Sequence, residues 1–157
     1  MQRYKITIAH DDFARLKKQT APEPLANSYS DVFGGFLEQT EWTYWCTFTT
    51  KWELTLPSAR RMANKIYTKF CGAIGQGDLF QVEKPAMFWA AEPFDLRNGF
   101  HIHALIRTGA DAKQIYEWCK EKYGRAQVIK FQPNKGAASY CGKYITKRLS
   151  DYDYWMC

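Results

Sequence analysis

Residues 86–107 constrain this chain more than any other stretch. Two apolar runs, Ala86-Met87-Phe88-Trp89-Ala90-Ala91-Glu92 and Phe100-His101-Ile102-His103-Ala104-Leu105-Ile106-Arg107, flank a segment from Pro93 to Gly99 with Arg97-Asn98-Gly99 at its tip. Such runs, bounded by turn residues, read as the two strands of an antiparallel hairpin. Side chains alternate along a strand, so His101 and His103 share one face while Phe100, Ile102 and Ala104 line the other. These are two of only three histidines in the chain. The antiparallel neighbour brings Glu92 beside them. Two imidazoles about 7 Å apart at their Cα atoms, with a carboxylate alongside, can converge on one ion. Neutral imidazole and carboxylate, with positions left for water or substrate, suit Mn²⁺ or Mg²⁺ as a Lewis acid; Zn²⁺ also accepts this set.

The rest of the chain extends the hairpin into a sheet. Trp42 to Thr50 is dense in aromatic and β-branched residues and reads as a first strand. Pro57 and Ser58 open a basic helix from Ala59 to about Cys71, with Met62, Ile66 and Phe70 on one stripe. After the hairpin, Asp111 caps a helix through Tyr123 that turns Ile115, Trp118 and Cys119 inward and stops at Gly124. Ala126–Phe131 is a fourth strand, and a last helix runs from about Ala137 to Leu149. Tyr4–His10 has the weak alternation of a short strand and Asp11–Gln19 that of a short helix. Ser28–Gly35 reads as loop. The expected organisation is a single domain over 1–157: an N-terminal extension of 1–40 and a core of 41–150. Its βαββαβ order is that of an α+β, ferredoxin-like fold, with helices on one face of an antiparallel sheet and the other face available for a site.

The composition narrows the partners. The formal charge is +6 and 17% of residues are aromatic. Cations neutralise phosphates and rings stack on unpaired bases, which favours a nucleic-acid partner. Candidate backbone contacts are Arg60, Arg61, Lys65 and Lys69 on the first helix, with Lys130, Lys135, Lys147 and Arg148 further on; Trp42, Trp45, Trp52 and Trp89 divide between stacking and core. Five scattered cysteines without a C-x-x-C pair argue against a zinc ribbon and a disulfide framework, and for a reducing compartment. No stretch approaches the roughly 18 apolar residues of a membrane span, so the expectation is a soluble protein without a membrane partner.

The last helix carries Ser139-Tyr140-Cys141-Gly142-Lys143-Tyr144-Ile145-Thr146-Lys147. Tyr140 and Tyr144 are four apart and share a face; Lys143 and Lys147 repeat that offset. A tyrosine hydroxyl, with its free pKa near 10, needs activation to act as a nucleophile, and a nearby cation supplies it.

Together these stretches resemble the HUH endonuclease superfamily, specifically the rolling-circle replication initiators of small phages, plasmids and single-stranded DNA viruses. The resemblance rests on Phe100-His101-Ile102-His103-Ala104-Leu105, on Tyr140-Cys141-Gly142-Lys143, and on Trp45-Cys46-Thr47-Phe48-Thr49, which is similar to the family's first motif. The three occur in family order across roughly residues 43–149. The resemblance implies metal-dependent, sequence-specific nicking and joining of single-stranded DNA. Glu92, His101 and His103 would hold the metal, Tyr140 would attack to leave a 5′-phosphotyrosine, Lys143 would steady the phosphate, and Tyr144 would be an alternate nucleophile or a packing residue. It also implies a stem-loop origin as substrate, a host helicase and polymerase as partners, and a place in the host cytoplasm, or the nucleus of a eukaryotic host. A transposase or relaxase would share the chemistry. A non-catalytic nucleic-acid-binding module of the same fold would carry aromatics where the histidines stand.

Overall fold

A computed structural model describes residues 34–37, 39–71, 85–133 and 152–156. In chain order its elements are β1 (Tyr44–Thr50), α1 (Leu56–Phe70), β2 (Ala86–Pro93), β3 (Phe100–Arg107), α2 (Ala112–Tyr123), β4 (Gly124–Lys130) and β5 (Tyr152–Met156). The protein is mixed α+β: its five strands form one sheet in the order β4-β1-β3-β2-β5, antiparallel at every pairing.

The hairpin at residues 86–107 forms as the sequence predicts. Gly99 closes its turn at φ +93°, where a Cβ would meet Glu53 Cγ and the Leu54 backbone at 3.0 Å. The Leu54 carbonyl accepts from Phe100 N–H and the Gly99 carbonyl accepts from Phe94 N–H. The turn is thereby tied to the segment between β1 and α1.

α1 starts at Leu56, three residues before the expected Ala59, because a proline in the first turn lacks only an N–H that would be unpaired anyway. Met62, Ile66 and Phe70 are buried as the stripe predicts. α2 begins at a capping box: the Asp111 carboxylate accepts from Lys113 N–H and the Gln114 side chain accepts from Asp111 N–H. Gly124 ends α2 and opens β4 with no linker, at φ +122°.

Two cores form, one on each face of the sheet. Cys46, Phe48, Met87, Trp89, Ala91, Ile102, Ala104, Ile106 and Ala126 face both helices and pack on Met62, Ala63, Ile66, Phe70, Ile115 and Cys119. On the opposite face Ala86, Phe88, Ala90 and Leu105 pack with Leu37 and Trp42, whose indole N–H donates to the Leu37 carbonyl at 2.6 Å. This second core covers the end of the hairpin remote from its turn. At the turn end the same face carries Glu92, His101 and His103.

Three differences from the sequence expectation stand out. The sheet has five strands, not four: Tyr152–Met156 pairs with β2 and lies past the expected 41–150 core. Gly34 and Gly35, expected as loop, join Phe36 and Leu37 in a helical turn that brings Leu37 under Trp42. β4 begins at Gly124, two residues before the expected Ala126. The Tyr4–His10 strand, the Asp11–Gln19 helix and the Ala137–Leu149 helix lie outside the described residues. No helix among the described residues is long and apolar enough to cross a membrane.

Candidate metal centre

The β2–β3 register sets Glu92 opposite His101 and Ala90 opposite His103. Because both histidines and Glu92 have the same parity in their strands, all three side chains leave the sheet on the face away from the helices. Ala90 has no bulk beyond its methyl group, so Glu92 reaches past it to His103. The outcome is a closed triangle of donor atoms: Glu92 Oε2 lies 2.7 Å from His101 Nε2 and 2.8 Å from His103 Nε2, and the two Nε2 atoms are 2.8 Å apart. Among the described residues this is the group of His, Cys, Asp and Glu that could hold a metal ion.

The donors fit that use. Atoms bound to one ion at about 2.0–2.2 Å lie roughly 3 Å from each other, so the triangle needs to open by only a few tenths of an ångström. His103 is held for the role by its other nitrogen, which lies 3.1 Å from Thr47 Oγ1 on β1. With Nδ1–H donating to that hydroxyl, the Nε2 lone pair turns into the triangle, the tautomer a metal ion requires. Burial depresses the His103 pKa from 6.5 to about 4, with the neighbouring His101 adding to the effect and Glu92 opposing it. At neutral pH the His103 imidazole is therefore uncharged, the form in which it could serve as a ligand.

The surroundings are aromatic on both sides. Trp45 stacks on His103 with ring centroids 6.5 Å apart and planes 21° from parallel. Phe94 lies against His101 at 4.8 Å, and the Arg97 guanidinium sits 3.7 Å above the Phe94 ring. The side chains of Glu92, His101 and His103 are 19%, 16% and 6% exposed. The site is therefore largely dehydrated, but open enough along its Glu92–His101 edge for a ligand to reach an ion.

The structure distributes the other candidate residues more widely. Arg60, Arg61, Lys65 and Lys69 are exposed on α1, on the helix-covered side of the sheet, away from the triangle. Arg61 donates to Ser58 Oγ at 2.7 Å. Lys130 ends β4 and is the register partner of Tyr44, which also faces the helix side. Tyr140, Lys143, Tyr144, Lys135, Lys147 and Arg148 lie outside the described residues. Of the tryptophans, Trp42 and Trp89 are core, Trp45 walls the triangle and Trp52 is half exposed.

Sequence reasoning missed Thr47, Phe94 and Arg97. Thr47 follows from the same alternation that selects His103, but only once β1 is known to neighbour β3 with Thr47 opposite His103. Tyr152, the partner of Ala90 in β5, also belongs to this face. Burial raises its phenol pKa, and its ring packs against Phe88, so it behaves as a core residue and not as an activated hydroxyl.

Comparison with protein-family models, with curated proteins and with solved structures returned no match.

Proposed function

We propose that this chain is a metal-dependent tyrosine endonuclease of HUH type that nicks and rejoins single-stranded DNA to initiate rolling-circle replication. The observation that carries the reading is the convergence of Glu92 Oε2, His101 Nε2 and His103 Nε2 within 2.8 Å of one another on the sheet face away from the helices. One carboxylate oxygen and two imidazole nitrogens aimed at a common point are a donor set that a divalent ion can bridge. The element order also supports a ferredoxin-like core: strands β4-β1-β3-β2 with both helices on one face, and β5 as an added edge strand.

A divalent ion at the triangle, Mn²⁺ or Mg²⁺, would supply Lewis-acid polarisation of the scissile phosphate. Glu92, His101 and His103 would hold it, and Thr47 fixes the His103 ring. Tyr140, as the sequence motif suggests, attacks the phosphorus through its phenol oxygen. The new O–P bond leaves a 5′-phosphotyrosine, the P–O3′ bond breaks, and the departing 3′ oxygen takes a proton and is free to prime synthesis. Lys143 stabilises the phenolate and the phosphate. Reversal with a second 3′-hydroxyl reseals a strand without a nucleotide cofactor, because the phosphotyrosyl ester retains the energy of the broken bond.

The test is incubation with labelled single-stranded stem-loop oligonucleotides in Mn²⁺ or in EDTA, followed by denaturing electrophoresis. A covalent protein–DNA adduct with Mn²⁺, absent with EDTA and absent in Tyr140→Phe, is expected. Binding without cleavage under every condition would make the chain a non-catalytic nucleic-acid-binding module. Cleavage by Tyr140→Phe but not by Tyr144→Phe would move the nucleophile to Tyr144.

A further inference from the structure

The turn between β2 and β3 holds a cation that the chemistry above does not use. Arg97 is exposed in that turn, and its guanidinium carbon lies 3.7 Å from the Phe94 ring centroid. Phe94 in turn packs on His101 at 4.8 Å. One aromatic ring therefore separates a guanidinium from a candidate metal ligand. The turn is not a loose tip. Phe94 N–H donates to the Gly99 carbonyl, Phe100 N–H donates to the Leu54 carbonyl, and Gly99 has no room for a side chain against Glu53 and Leu54.

We propose that Arg97 binds a backbone phosphate of the DNA strand engaged at the metal centre, with Phe94 as the platform that positions it. This rests on the nuclease reading of the site. A guanidinium stacked on a ring keeps its N–H donors at the ring's periphery, directed outward in a fixed plane, which is the arrangement for bidentate capture of a phosphate. The ordering cost is already met by the stack and the closed turn, so little side-chain entropy is lost on binding. A strand whose scissile phosphate sits at Glu92, His101 and His103 must carry flanking phosphates past the adjoining turn. Arg97 is a cation held on a ring at that edge, with exposed Arg125, the register partner of Thr49, further along the same face, while the lysines and arginines of α1 lie across the sheet.

The test is the salt dependence of single-stranded oligonucleotide binding, followed by fluorescence anisotropy in EDTA so that metal does not contribute. One phosphate contact fewer lowers the magnitude of the slope of log K against log salt by about 0.7. Arg97→Ala is expected to show that loss, with several-fold weaker binding, and with thermal unfolding and Mn²⁺ affinity unchanged. Arg97→Lys should keep the slope but bind more weakly than wild type, since an ammonium does not stack or fork. Phe94→Leu should keep the slope and weaken binding by releasing the guanidinium. A wild-type slope and affinity in Arg97→Ala overturns the proposal, as does lowered unfolding temperature with an unchanged slope, which would make the stack structural only. If the wild-type protein nicks DNA normally in that case, the nuclease reading survives and only the Arg97 assignment falls. Failure of the wild-type protein to bind or nick any single strand removes both.

Discussion

Glu92 and His101 face each other across the β2–β3 ladder as register partners, and the pairing carries Glu92 Oε2 to 2.7 Å from His101 Nε2. The same oxygen lies 2.8 Å from His103 Nε2, so one carboxylate closes a group that neither strand could build alone.

Removing the carboxylate should therefore disable metal binding more than folding. Glu92→Gln keeps the size of the side chain but trades the anionic oxygen for a weak neutral donor. Mn²⁺ affinity by titration calorimetry should fall at least about 100-fold, since loss of outer-shell partners alone costs 10–100-fold. The unfolding temperature of the metal-free protein should stay the same or rise. A Glu92→Gln protein with wild-type affinity would exclude Glu92 as a ligand.

Thr47 makes a subtler case. Its hydroxyl lies 3.1 Å from His103 Nδ1 and orients the ring from outside the triangle. Thr47→Val has nearly the same shape and β propensity, so the sheet should tolerate it. Mn²⁺ binding should weaken by about 10–100-fold, and Thr47→Ser should restore most of it. Equal affinities in wild type and Thr47→Val would show that packing against Trp45 suffices to hold the ring.

His103 also links stability to pH. Its pKa falls from 6.5 unfolded to about 4 in the folded protein, chiefly through burial. Between those values the unfolded chain carries a proton on this residue that the native chain does not. Stability thus rises with pH across the window and is lost as pH falls from about 6.5 towards 4. The full effect is of order 3 kcal/mol. Urea unfolding of metal-free wild type and His103→Gln at several pH values isolates it. The difference in unfolding free energy between the two should shrink by that order on acidification. A difference independent of pH would mean that His103 titrates normally.

The α2–β4 junction tests the fold. Gly124 adopts φ +122°, and a Cβ there would lie 2.6 Å from Lys51 Cγ and 3.3 Å from the Lys51 backbone nitrogen. Lys51 N–H donates to the Tyr123 carbonyl at 3.1 Å, so the backbone at this point cannot simply withdraw. Gly124→Ala should cost about 1–3 kcal/mol, read as a lowered midpoint in denaturant. An unchanged midpoint would place the helix-to-strand junction elsewhere.

The hairpin, the grouping of Glu92 with His101 and His103, and both long helices were legible because each rests on local signals. Alternation put His101 and His103 on one face, Asp111 and Gly124 marked the ends of α2, and Met62, Ile66 and Phe70 gave α1 its buried stripe. What the sequence concealed depends on neighbours distant in the chain. Thr47 acquires meaning only when β1 lies beside β3, a pairing across more than fifty residues. Tyr152–Met156 is a short, mostly aromatic run with a single aspartate that needs the edge of β2 to become a strand. The Phe94–Arg97 stack depends on the path of a turn whose composition announces only that the chain reverses. Tyr140, Lys143 and Tyr144 rest on their spacing and on the family resemblance.

The most direct test is Mn²⁺ titration of the purified protein, with free ion followed by electron paramagnetic resonance, beside His101→Ala and His103→Ala. A metal centre at Glu92, His101 and His103 predicts saturation at one Mn²⁺ per chain in the wild type and loss of that site in either variant. Absence of saturable binding, or binding that survives both substitutions, would contradict it.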